Sequence, residues 1–99
     1  MARFHLTPTA HASLASIGRY TEETWGRRQR DAYLGALDAR FRELADAPLQ
    51  GSARDDLGAD LRSFPEGKHV IYYLPRTQDI VIVDVLHVRM DPALHVSSK

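Results

Sequence analysis

Residues 80–88 (IVIVDVLHV) are aliphatic and mostly β-branched, interrupted only by Asp84 and His87. The run is too short to span a bilayer and too β-branched for a comfortable helix, so it reads as a strand. A half-exposed strand alternates apolar and polar residues, and this one barely does. One face carries Ile80, Ile82, Asp84, Leu86 and Val88, the other Val81, Val83, Val85, His87 and Arg89. A strand apolar on both faces needs a neighbour on each edge and cover on each side. It is therefore expected at the centre of the sheet.

Residues 69–74 (HVIYYL) form a second β-rich run, joined to the first by the polar loop 75–79 (PRTQD). Setting Leu74 opposite Ile80 places Tyr73 opposite Val81 and His69 opposite Val85. His69, Ile71 and Tyr73 then share a face with Val81, Val83, Val85, His87 and Arg89, and a one-residue slip would invert that assignment. Residues 61–65 (LRSFP) make a further strand, turned into the next by Pro65-Glu66-Gly67. Residues 3–6 (RFHL) are a first strand. Thr7 as N-cap and Pro8 at the first helical position then open a helix to about Thr24. Its stripe is Ala10, Leu14, Ile17, Thr21 and Trp25, with Gly18 beside it as a place for close approach. Gly26 breaks the pattern, and a longer helix over 27–47 carries Tyr33, Leu37, Phe41 and Leu44 until Pro48 ends it. The turn-rich stretch 48–60 returns the chain to the sheet.

The order is thus β-α-α-β-β-β, an α+β fold with a helical hairpin on one face of a small antiparallel sheet. Leaving the most apolar strand on an edge would invite aggregation. Pairing 3–6 against 80–88 removes that edge and gives the order 61–65, 69–74, 80–88, 3–6. One domain over 1–99 is expected, with a short loosely held tail at 92–99.

Composition narrows the function classes. The chain has 13 Lys+Arg against 13 Asp+Glu, a formal charge of zero, which argues against bulk electrostatic binding of nucleic acid. There are no cysteines, hence no disulfide framework and no thiolate metal site, which suits a cytoplasmic location. Arg3 is followed by no apolar run, so no secretory leader is expected, and no segment is long enough to cross a membrane. The histidines (His5, His11, His69, His87, His95) are scattered, so no metal or other cofactor is expected. The arginines of the second helix alternate with acids and read as a solvated face.

Two features remain. Two helices cover only one face of a four-stranded sheet, so apolar surface is left over on it, and a partner groove is expected there in preference to cover by sheet twist and the tail. Second, Arg62, Glu66, Lys68, His69, His87 and Arg89 gather near one end of the meander in the register above. Such a set could supply an acid, a base and phosphate-binding charge for RNA cleavage, or simply form a solvated rim.

Leu6-Thr7-Pro8, Trp25-Gly26, Tyr33-Leu34, Ala36-Leu37, Leu61-Arg62-Ser63-Phe64-Pro65 and Val85-Leu86-His87-Val88-Arg89 together resemble the ParE toxins of the RelE/ParE superfamily. The resemblance spans nearly the whole chain. It implies the toxin of a type II toxin–antitoxin module, associated with plasmid stabilisation, that binds DNA gyrase without catalysis. It also implies a ParD-like cognate antitoxin whose disordered segment wraps the toxin in a hetero-oligomer, with no direct nucleic-acid or membrane partner. RelE-type relatives instead cleave mRNA on the ribosome, using a sheet dense in Lys and Arg and a Tyr or His near the C-terminus. This chain has only Lys68 in its sheet region and no tyrosine in 92–99, which favours the gyrase branch. Where many family members carry Arg-Pro-Gly before the 61–65 strand, it has Gly58-Ala59-Asp60, one basic group fewer. The expected target contacts are Arg62, His87 and Arg89, with Lys68 and His69 beside them. Tyr72, Tyr73 and Phe64 are the expected antitoxin contacts, and no catalytic residue is assigned. A third reading is a degenerate member that binds its partner and no longer harms the cell.

Overall fold

Thr7 joins the first strand to the first helix and ties both to the sheet. Its backbone is extended (φ −67°, ψ 159°), its Oγ1 accepts from the Ala10 N–H at 3.0 Å, and its hydroxyl donates to the Val83 carbonyl at 2.7 Å. The structure, a computed structural model, describes residues 3–96, so residues 97–99 of the expected tail lie outside the described residues. After β1 (Arg3–Leu6) come α1 (Pro8–Trp25) and α2 (Arg27–Asp46), then β2 (Ser52–Ala53), β3 (Arg62–Glu66), β4 (His69–Pro75) and β5 (Asp79–His87), and a 3-10 turn at Pro92–Leu94. The sheet order is β1-β5-β4-β3-β2, as expected for the four longer strands. β2 adds a short edge that periodicity could not reveal, because two residues carry none. The sheet is mostly antiparallel; the β1–β5 pair is parallel.

Both helical stripes face the sheet. Ala10 and Thr21 of α1 and Leu37, Phe41 and Leu44 of α2 are buried, with Leu14 and Ile17 half-buried. Full burial of an aliphatic or aromatic side chain contributes roughly 1.5–3 kcal/mol, so the α2 triplet anchors the hairpin. Trp25, expected on the stripe, projects beyond the helix contact and is 67 % exposed. Gly18 is where the helices touch: a Cβ there would lie 3.1 Å from Leu34 Cδ1. Gly26 makes the hairpin turn at φ +95°, a conformation L side chains rarely adopt.

The register of β4 against β5 departs from expectation. Leu74 pairs with Val81 and Tyr73 with Ile82, one residue on, because Pro75 and Asp79 belong to the strands and the turn is tighter. Arg76 closes it, with its N–H on the Asp79 carbonyl and its guanidinium on the Asp79 carboxylate. A bulge between Tyr72 and Tyr73 adds a second shift, so Tyr72 pairs with Asp84 and His69 with His87. Val83 is the extra residue, and β5 exchanges faces there. Ile80, Ile82 and Val85 join the helix-side core with Ile71 and Tyr73, whereas Val83 and Leu86 join the opposite face with Val70 and Tyr72. Val85 and His87 keep their expected company with His69; Val81 and Val83 do not.

That opposite face is not left bare. Leu57 and Leu61 from the 54–61 loop and Val96 from the tail cover Tyr72 and Leu86, forming a second small core. The tail is thus held as far as Val96: Asp91 caps the 3-10 turn through Ala93 N–H, and Val96 N–H bonds the Pro92 carbonyl. The partner groove expected on this surface is therefore corrected: the chain's own loop and tail cover it, because segments distant in sequence fold back over the sheet.

Candidate functional site

The polar end of the sheet assembles around the β3–β4 turn and the end of β5. His69 and His87 face each other across the strands with ring centroids 5.5 Å apart at 81°. From α2, the Tyr33 hydroxyl reaches both the Glu66 carbonyl (3.0 Å) and His69 Nδ1 (2.6 Å). Burial pushes the Tyr33 phenol above its ordinary range, so it stays a neutral hydroxyl. Lys68 lies in the turn, and its carbonyl accepts from Val88 N–H at 2.9 Å, which brings it beside Arg89. Arg89 N–H in turn donates to His87 Nδ1 at 3.1 Å. Glu66 is committed to Arg40 at 2.8 Å, and the Arg40 guanidinium lies 4.7 Å from the Phe64 ring centroid.

Lys68, His69, His87 and Arg89 are therefore brought together as expected. Arg62 is not. It opens β3 opposite Tyr73, four residues from Glu66 and so roughly 13 Å along the strand. Its guanidinium donates to the carbonyls of Leu49 (3.2 Å) and Gly51 (2.7 Å), closing the 48–51 turn. The expected antitoxin contacts also change standing. Tyr73 is 0 % exposed under the helices, and Tyr72 is 4 % exposed beneath Leu57, Leu61 and Val96, with Arg54 over its ring. Neither can offer a partner more than a trace of surface; Phe64 remains half-buried beside Arg40. The bulge and the tail, which pattern reading does not place, are the reason.

A family model described as "ParE toxin of type II toxin-antitoxin system, parDE" matches residues 4–92. The chain belongs to the ParE toxin family. It is 31% identical over 96 residues to Toxin ParE1 of Caulobacter vibrioides, covering 97% of this chain and 99% of that one. It is 33% identical over 91 residues to Toxin ParE1 of Mycobacterium tuberculosis, covering 91% and 93%. A solved structure described as a chromosomal ParDE TA system from P. aeruginosa contains a chain of the same fold. The TM-score is 0.74 over 90% of this chain and 98% of that one, and at 16% identity the likeness concerns the fold alone.

Sequence reasoning placed Tyr33 of this ParE family member on the core stripe and missed its polar role. The signal was its hydroxyl: a tyrosine on an otherwise aliphatic stripe needs a partner. Ser13 and Asp84 were missed likewise. Asp84 is buried, and its Oδ1 accepts from the Ser13 hydroxyl at 2.6 Å and from Val85 N–H at 2.8 Å. It holds α1 to the bulge.

The histidine pair sets a pH dependence. Burial first, and the neighbouring His87 second, hold the His69 pKa below its ordinary 6.5. The folded state then binds fewer protons than the unfolded state near that value, so stability is full above about pH 6.5 and declines as pH falls through it. Urea unfolding at pH 7.5 and 5.5 is expected to show a lower midpoint at 5.5, and the difference should shrink in His69→Gln. Asp56 and Asp79, held low by Arg54 and Arg76, act only at more acid pH. Equal midpoints for the parent would refute the assignment.

Proposed function

We propose that the chain is a toxin that binds and inhibits DNA gyrase without catalysing a reaction, and that a ParD-like antitoxin neutralises it in a cytoplasmic hetero-oligomer. Family membership supports the toxin role, and the relation to a ParDE assembly supports the antitoxin partner. One observation favours gyrase over mRNA as the target. Arg30, Arg40, Arg42, Arg54 and Arg76 are committed to carboxylates, and Arg62 to backbone carbonyls. Among the described residues at the polar end of the sheet this leaves Lys68 and Arg89 alone, few cations for a surface that would grip RNA phosphate. No helix among the described residues is long and apolar enough to cross a membrane.

The proposed target surface is Lys68, His69, His87 and Arg89. With Tyr72 and Tyr73 withdrawn into the cores, the antitoxin is assigned to large apolar side chains still exposed, among them Tyr20, Trp25, Val88, Met90 and Leu94. Covering them should raise solubility as well as silence the toxin.

Expression without antitoxin tests the reading: arrest of DNA synthesis with an SOS response supports it, and abrupt loss of translation supports the ribosomal alternative. Purified toxin should inhibit supercoiling by gyrase. Arg89→Ala is expected to lower toxicity at an unchanged unfolding midpoint, since an exposed arginine contributes about 0–1 kcal/mol to stability. Undiminished toxicity in that variant would move the contact elsewhere.

A further inference from the structure

The Tyr33 hydroxyl carries one hydrogen and makes two contacts. The Glu66 carbonyl can only accept; with the hydroxyl donating there, the 2.6 Å contact with His69 is donated by Nδ1–H of the imidazole. A neutral imidazole has a single N–H. His69 Nε2 is therefore a bare lone pair, an acceptor. His87 is the reverse: its Nδ1 accepts from Arg89 N–H, so its proton sits on Nε2. No described residue hydrogen-bonds to either Nε2. Two rings placed opposite each other on β4 and β5 thus present one acceptor and one donor.

We infer that His69 and His87 together read a peptide group or side-chain carboxamide of the toxin's protein target, with Tyr33 as the positioning residue that sets the His69 tautomer. The inference rests on the reading of the chain as a gyrase-binding toxin. A peptide group and a carboxamide each offer one N–H and one C=O, the complement of this pair. A phosphodiester offers acceptors alone and would confront the lone pair on His69.

Two further features sustain the arrangement. Gly67 has φ +58°, and a Cβ there would lie 2.7 Å from the Tyr33 ring, so the turn carrying the Glu66 carbonyl is closed against the tyrosine. Burial and His87 favour the neutral form of His69, the only form with a free acceptor. The charged and titratable groups around the pair are Tyr33 and Arg40 of α2, Glu66 and Lys68 of the turn, and Arg89 beyond β5. Arg40 and Glu66 neutralise each other. Lys68 and Arg89 are the remaining cationic side chains at this end of the sheet.

The tautomers can be read directly by two-bond nitrogen–proton NMR on the full chain near pH 7.5. Nδ1–H on His69 and Nε2–H on His87 are expected, and Nε2–H on His69 overturns the inference. Tyr33→Phe removes the hydroxyl and should weaken gyrase binding about tenfold, the effect of one well-placed hydrogen bond. Between pH 7.5 and 5 the parent's affinity for gyrase should fall, because protonation, which for His69 comes below its ordinary 6.5, turns the acceptor into a donor. His69→Gln, whose amide oxygen accepts at any pH, should bind with little pH dependence. Affinity that rises on acidification in the parent alone would assign a phosphate contact instead and overturn the inference. A parent that binds no gyrase sinks the gyrase reading and this inference with it. A parent that binds, with Tyr33→Phe binding equally, sinks only the inference.

Discussion

Replacing Tyr73 with Ala is expected to lower the stability of the chain by about 4 kcal/mol, and replacing it with Phe by about 2 kcal/mol. The ring lies at the centre of the helix-side core among Ile71, Ile80, Ile82 and Leu37. Its hydroxyl donates to the Pro48 carbonyl at 2.7 Å and accepts from Gly51 N–H at 2.9 Å. Ala leaves a cavity and two stranded backbone groups; Phe keeps the packing and strands only those groups. For a domain of this size each kcal/mol moves the melting temperature by roughly 4–8 °C, so thermal unfolding should separate the two variants clearly. Gly51 belongs to the same device, since a Cβ there would lie 2.4 Å from the Tyr73 oxygen and 2.8 Å from the Ser63 carbonyl. Because Tyr73 has no exposed surface, Tyr73→Phe is expected to bind antitoxin as the parent does. Weaker antitoxin binding at unchanged stability would place the tyrosine at the interface after all.

Asp84→Ala is expected to cost about 3 kcal/mol. Asp84 is buried on the central strand next to the bulge, and its Oδ1 satisfies both the Ser13 hydroxyl and the Val85 N–H. Truncation leaves the Val85 N–H and the Ser13 hydroxyl without their partner, and a stranded buried donor costs roughly 1–3 kcal/mol. It also loosens the start of α1 from the sheet, which Thr7 alone would then hold through its bonds to Ile82 and Val83. Asp84→Asn, which retains an oxygen in place, should cost far less. Urea unfolding of the three proteins decides it: if Asn and Ala are equally damaging, the carboxylate's charge matters rather than its acceptor role.

Much of the candidate site was legible as residue types and little as geometry. The gathering of Lys68, His69, His87 and Arg89 followed from a hairpin of β4 and β5, because any register near the true one brings the strand ends together. Arg62 went astray because it sits at the far end of β3, and its role is to close the 48–51 turn through carbonyls that carry no side-chain signature. Tyr33 is invisible to pattern reading as a polar residue: its helical position marks it as core, and only the crossing of α2 over the end of β4 brings it to His69.

The sequence by itself determined the two helices, the four longer strands and their order. The β-branched run at 80–88, the Thr7-Pro8 start, the break at Gly26 and the stop at Pro48 are local signals, set by backbone sterics and capping, and each element formed where they stand. The avoidance of a bare apolar edge was enough to place β1 against β5. The tertiary structure alone decided which side each strand residue faces. A bulge is one extra residue whose place depends on what the neighbouring strand and helix require, here the anchoring of Asp84 by Ser13, and it inverts the period of two on which face assignment rests. The same holds for the second face of the sheet: Leu57, Leu61 and Val96 cover it through contacts between segments distant in the chain, and no local pattern records them.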